Sequence, residues 1–422
     1  MSALRAPAGL PGRTATLWLG RTGAIVGSEL TTVALPLAAV LMVGASSIQL
    51  GWLAGAGTAA ALAVTVAAGA GLRRSASATG VVVADALRLV VALGIALLGA
   101  ADELEIGWLI AAGVALGALT TVVEHGYASL LPAAARSAAV DAAEAGRLET
   151  GESLSPALGV VVGGIIADVG RASSGFFVSA AGFLLSVLTL SRARAVLTGA
   201  AVERTADEQD AGAALREGVD ANFANRHLRP LTLTSLVANV GAQMILSLFV
   251  LFALAELELS PVWIGVIFAA AALGAVVGGL ASRGLETRAA GLGVRVVVAM
   301  GLYEAGLAVT AFVDGSEALV VVLLILAWFL AGAGLIVANT AQVALREAAL
   351  PGGAADRAIA AHRLIVVALV PVAAVVAGYL ADGIGLRETF YVAAGVLAVA
   401  FLLALLSPLR GLRSTADVAP GA

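Results

Sequence analysis

The chain has 422 residues, 60% of them hydrophobic and only 12% charged, with a mean hydropathy of +1.02. Soluble domains carry about 25% charged residues, so the composition excludes a soluble globular protein and describes one that crosses a membrane many times. The net charge of −4, with all 24 basic residues arginine, leaves no basic stripe for nucleic acid, and the lack of cysteine removes disulfides, thiolate metal sites and cysteine nucleophiles.

A helix that crosses the hydrocarbon needs about 20 apolar residues. Runs of this kind lie at 16–43, 49–71, 79–100, 106–131, 146–168, 175–191, 230–255, 262–282, 291–313, 318–345, 357–381 and 388–407. The first run is too long for a signal-peptide core, so it is expected to remain as an uncleaved helix. The fold class is therefore all-α: a polytopic membrane protein with twelve transmembrane helices. Almost all arginines flanking the spans fall in the tails, the even-to-odd loops and the segment after the sixth span, with Arg171 and Arg387 outside that pattern. The opposite turns carry Asp102, Glu103, Glu256, Glu258, Asp314 and Glu317. Cytoplasmic loops are enriched in basic residues, which predicts a cell inner (plasma) membrane protein with both termini cytoplasmic.

The one long break between spans divides the chain into an N-terminal half (1–191), a cytoplasmic central loop (192–229) and a C-terminal half (230–422). Within the loop, Leu215, Val219 and Phe223 recur at helical spacing beside Arg216, Glu217 and Asp220. That pattern predicts an amphipathic helix lying solvated on the inner membrane surface, with a regulatory partner site as the alternative. The halves also repeat: Pro156 matches Pro371, Asp168 matches Asp382, Phe176-Phe177 matches Phe390-Tyr391 and Gly182 matches Gly395, at offsets of 213 to 215 residues. The same offset carries Glu29 onto Gln243 and His125 onto Asn339. Two parallel six-helix repeats place a substrate site near the midplane between the halves.

Several short stretches then point to a family. Leu17-Trp18-Leu19-Gly20-Arg21 followed by Thr31-Thr32-Val33-Ala34-Leu35-Pro36-Leu37 resembles the first helix of the major facilitator superfamily, in the drug:proton antiporter branch that includes macrolide and siderophore exporters. The likeness continues in Ala84-Asp85-Ala86-Leu87-Arg88, Leu130-Leu131-Pro132, Ser155-Pro156-Ala157-Leu158-Gly159 and Leu215-Arg216-Glu217-Gly218. The family's loop after helix 2 usually holds Gly-x-x-x-Asp-Arg, in which the acid latches a neighbouring helix. Here Arg73 stands at the acid's place, and the counterpart after helix 8 has Ser282 before Arg283, so the resemblance implies a gate latched differently. The antiporter motif on helix 5 survives around Pro156, with small residues that permit a kink and close helix contact. The family's helix 1 acid corresponds to Ser28, with Glu29 one place on.

Intramembrane charges supply the candidate site, since each costs about 2.5–3.5 kcal/mol at a helix centre on insertion scales. Glu29 lies near the middle of the first span and Glu304, beside Tyr303, near the middle of the ninth; Arg21, Glu124, Glu149 and Glu152 share a depth roughly 7–12 Å from their span centres. The proton-coupling candidates are Glu29, Glu124, Glu149 and Glu152, with Arg21 as counter-charge; the alternative is one fold-fixing salt bridge and acids facing a vestibule. The substrate-cavity candidates are His125, Asn239, Gln243, Tyr303, Glu304, Asn339 and Gln342, where an amide can also join helices. Arg73, Asp85, Arg88, Pro156 and Arg283 are gate or structural candidates, and the spacing of Asp85 and Arg88 predicts an intrahelical pair. No phosphate loop, cofactor signature or metal cluster is present in the sequence, so the protein is read as no enzyme, without cofactor or metal.

These features predict a secondary active transporter, expected to export a hydrophobic or amphipathic small molecule, such as a drug, antibiotic or siderophore-like compound, by proton-coupled alternating access. Its expected partners are the small-molecule substrate, protons and the lipid bilayer, with no nucleic acid, and a monomer is expected. The alternatives are an importer or uniporter of a small organic solute, and a non-transporting membrane scaffold or sensor.

Overall fold

The computed structural model describes residues 10–70, 78–138, 155–166, 172–199, 211–285, 291–412, 414 and 417. Among these the chain is helical, with no strand: α1 (Leu10–Leu41), α2 (Ser47–Ala70), α3 (Ala78–Ala100), α4 (Ile106–Ala138), α5 (Ser155–Ile166), α6 (Ser174–Gly199), α7 (Ala211–Ala224), α8 (Leu228–Ala255), α9 (Pro261–Leu285), α10 (Leu292–Phe312), α11 (Glu317–Ala349), α12 (Gly353–Ala368), α13 (Val370–Ile384) and α14 (Leu386–Leu406). Backbone polar groups in hydrocarbon must be satisfied within the segment, which favours helix. Intrahelical back-bonds also absorb many span hydroxyls: Thr58 and Thr65 donate to Ala54 and Ala61 carbonyls, and Ser282 and Thr340 donate to those of Gly278 and Ile336, all at 2.9 Å.

Eleven stretches are long and apolar enough to cross a membrane among the described residues, and α5 is the described part of the expected span 146–168. The expected span 357–381 is one crossing, Gly353–Ile384, broken into α12 and α13 at Leu369. The break lies two residues before Pro371, whose ring cannot continue an unbroken helix. Pro156, its repeat mate, lies in the described part of its span, α5.

Helix packing repeats as the sequence does. In the first set α1 packs on α6, α2 on α4, α3 on α4 and α3 on α6; in the second α8 packs on α14, α9 on α11, α10 on α11 and α10 on α14. Turn geometry repeats too. Gly44 after α1 has φ 66° and Glu258 after α8 has φ 52°; Asp102 after α3 has φ 59° and Gly315 after α10 has φ 124°. The bond from Ala45 N–H to the Ala39 carbonyl and that from Leu259 N–H to the Ala253 carbonyl are both 2.8 Å. These turns define one face of the bundle, here termed distal; the face bearing α7 is termed terminal.

The two sets touch mainly toward the distal face. A Cβ added at Gly51 of α2 would lie 2.8 Å from the Ala374 carbonyl oxygen of α13, and one at Gly164 of α5 would lie 2.9 Å from the Pro261 carbonyl oxygen of α9. Small residues allow such backbone approach. Toward the terminal face α2 meets α12 only lightly. The second set has an aromatic core in which Trp328 stands 4.4 Å from Phe249 and 5.2 Å from Phe268, and Phe252 stacks on Phe390 at 4.1 Å. The helix α7 does not lie free on the surface: it packs against α12 and α8. Asn225 joins it to α8 by accepting from the N–H groups of His227 at 2.9 Å and Leu228 at 3.2 Å, serving the unpaired donors at a helix start.

Candidate transport site

The first-half polar cluster grows from α1, whose Gly20, Gly23 and Gly27 lie against α6 so closely that side chains on that face would collide with Thr189, Gly182 and Phe183. With α1 held there, Arg88 of α3 reaches across to it, donating to Ser28 Oγ and, at 3.4 Å, to the Ala24 carbonyl. The same guanidinium pairs with Asp85 at 2.7 Å, both side chains being essentially without exposure. Asp85 also accepts from Ser186 Oγ at 2.5 Å, and Ser186 bonds Tyr127 at 2.9 Å. Arg21 lies over the Tyr127 ring at 5.0 Å and Arg88 over Phe183 at 4.0 Å. Asp85 and Arg88 thus form the intrahelical pair their spacing implies, inside a network joining α1, α3, α4 and α6.

Glu29 sits one residue beyond Ser28 and turns toward α5, where a Cβ at Gly159 would lie 2.7 Å from its own Cβ. It is half-buried; Glu124 and His125 on α4 are exposed, and His125 Nδ1 lies 2.8 Å from the Thr121 carbonyl oxygen. Glu124 is within electrostatic reach of both Glu29 and Arg88, and Arg21 within reach of Asp85 and Arg88. Neither Glu29 nor Glu124 makes an ion pair with a described residue. Among the described residues of this cluster two guanidiniums, Arg21 and Arg88, meet three carboxylates, Glu29, Asp85 and Glu124. Glu149, Glu152 and Arg73 lie outside the described residues, as does the side chain of Arg283 on α9.

The second-half candidates differ in burial and in their bonds. Gln342 is buried and accepts from Ser235 Oγ at 3.1 Å; Asn239 is half-buried and donates to the Ser235 carbonyl at 2.9 Å. Gln243 is half-buried on α8, and Asn339 is exposed on α11. Tyr303 is half-buried where α10 crosses α11 at Gly334. Glu304 is 2% exposed, enclosed in the helix core, and neither carboxylate oxygen has a hydrogen-bond partner among the described residues.

Sequence reasoning missed the chief polar centre of this half. Arg346, counted among the loop arginines, lies inside α11 at 1% exposure and bonds Asn222 Oδ1 at 3.0 Å, Thr232 Oγ1 at 3.2 Å and the Gln342 carbonyl at 3.1 Å. The signal available was the helical spacing of Gln342 and Arg346. Tyr127 and Ser186 in the first half were missed as well, because an isolated hydroxyl or phenol carries no distinctive spacing.

The Major Facilitator Superfamily model matches residues 17–362. By structure the chain is similar to the nucleoside transporter NupG (TM-score 0.76, 11% identity, 94% of this chain and 98% of that one). It is also similar to a bacterial homologue of the iron transporter ferroportin (0.70, 15%, 94% and 98%) and to a bacterial homologue of the human lysosomal transporter Spinster (0.67, 15%, 95% and 97%). No curated protein matches by sequence. With most of its length matched by the family model and its repeated helix packing shared with these transporters, the chain belongs to the Major Facilitator Superfamily.

Proposed function

We propose that this transporter exports a hydrophobic or amphipathic small molecule in exchange for protons, across the cell inner membrane and with its terminal face in the cytoplasm. The observation that carries the reading is that, among the described residues, Glu29, Asp85 and Glu124 outnumber Arg21 and Arg88 in the first-half cluster, while Arg88 is committed to Asp85 and Glu124 lies within electrostatic reach of Glu29. A surplus charge at membrane depth is costly, and proton uptake balances it. Glu29 is the first choice as coupling group: it lies near mid-span beside the close α1–α5 contact, and its repeat mate is the neutral Gln243. Glu124 is the second. The network of Asp85, Arg88, Ser186 and Tyr127 serves as the frame that fixes α1 against them. The small, aliphatic helix surfaces suit a solute with little charge.

The test is transport of a panel of amphipathic compounds by the protein in liposomes under an imposed pH gradient. Glu29→Gln removes the titration while keeping a similar shape and hydrogen bonding. It is expected to keep binding and to lose gradient-driven transport by at least tenfold, with a smaller loss for Glu124→Gln. Unchanged gradient-driven transport in both variants would replace proton coupling by uniport or import.

A further inference from the structure

The helix α7 is fastened to the second half by groups normally reserved for a core. Asn222 is fully buried; its Nδ2 donates to the Ala358 carbonyl of α12 at 2.7 Å and to the Gly218 carbonyl at 2.8 Å, and its Oδ1 accepts from Thr232 of α8 and Arg346 of α11. Gly218 lies so close to the Arg357 carbonyl of α12 that not even a methyl group fits. Glu217 adds an ion pair with Arg357 at 2.9 Å. The same helix also touches α2 of the first half. The Arg346 guanidinium meets no carboxylate among the described residues; neutral oxygens alone receive its N–H groups. A buried charge held this way depends on every one of those oxygens staying in place.

The crossing that α7 grips is also the one that divides its loyalties between the halves. Beyond the break at Leu369, α13 packs along α2 and helps close the distal face, whereas α12, on the terminal side, meets α2 only lightly and packs against α7 instead. Rocking of one half against the other opens one face as it closes the opposite one. For the distal face to open, α13 must leave α2 and α12 must approach it, on the flank where α7 sits. We propose that α7 is a conformational latch: by binding α8, α11 and α12 together through Asn222 and Arg346, it keeps α12 away from α2 and so favours the state closed at the distal face.

The test uses the full chain in lipid nanodiscs, spin-labelled at Glu103→Cys and Ser316→Cys, exposed positions in distal turns of opposite halves of a chain with no native cysteine. The parent protein is expected to give mainly one short distance. Asn222→Ala and Gly218→Leu, which undock α7 by different contacts, are both expected to raise the longer-distance population at least threefold. Gly332→Ala, which disturbs the α9–α11 contact away from α7, serves as a destabilised control and is expected to leave the distances unchanged. An unchanged distribution in Asn222→Ala and Gly218→Leu, or an equal shift in Gly332→Ala, overturns the proposal and makes the junction a folding contact only.

Discussion

The two halves share a helix plan but bury charge in opposite ways. In the first, Arg88 is answered by the carboxylate of Asp85 and the network closes within the spans α1, α3, α4 and α6. In the second, Arg346 has no such acid among the described residues, and its neutral partners include Asn222 from the linker helix outside the bundle. The first arrangement is an ion pair that holds together internally; the second leaves a charge that recruits a neighbouring element. The repeat therefore fixes where helices pack, while the buried polar groups decide what each half is tied to.

The sharpest way to break this contrast is to remove one partner of the first-half pair. Asp85→Ala leaves the Arg88 guanidinium buried and unanswered, and should lower stability by about 3–5 kcal/mol, read as an earlier loss of monodisperse protein on heating. The double variant Asp85→Leu/Arg88→Leu should be milder than either single change, because no lone charge remains. Next in size is Arg346→Leu, expected to cost about 1–3 kcal/mol, since it strands only neutral oxygens. Should it destabilise as much as Asp85→Ala, the distinction between the two networks fails. The smallest effects lie at the equivalent turns. Glu258→Gly should stabilise by roughly 0.5–1 kcal/mol, because a left-handed φ strains a side chain that glycine lacks, while Gly44→Ala should destabilise by a similar amount.

The spans and their repeat were legible in the sequence because length and apolarity report directly on membrane crossing. Glu258 looked like any outer-turn acid, yet its backbone matches that of Gly44, a likeness that no side-chain comparison reveals. The pairing of Asp85 with Arg88 followed from three-residue spacing, but Ser186, 101 residues from Asp85, did not. The docking of α7 was illegible for the same reason. Leu215, Val219 and Phe223 suggested a helix resting on the membrane, and Asn222, one step off that stripe, gave no sign of its bond to Arg346, 124 residues away. Periodicity reports which face of a helix is apolar and says nothing of a single amide that completes a distant guanidinium.

Among the distal contacts between the halves, main chain meets main chain at Gly51 with Gly378 and at Gly164 with Gly265. At these two crossings the nearest atoms are backbone, so the helices can part there without drawing a side chain from a pocket. Such a junction works as a bearing, smooth enough to separate and rejoin on every cycle. It is correspondingly intolerant of grit: a leucine at Gly378 would act as a wedge, propping the halves apart and giving a simple means of capturing the protein in its opposite conformation.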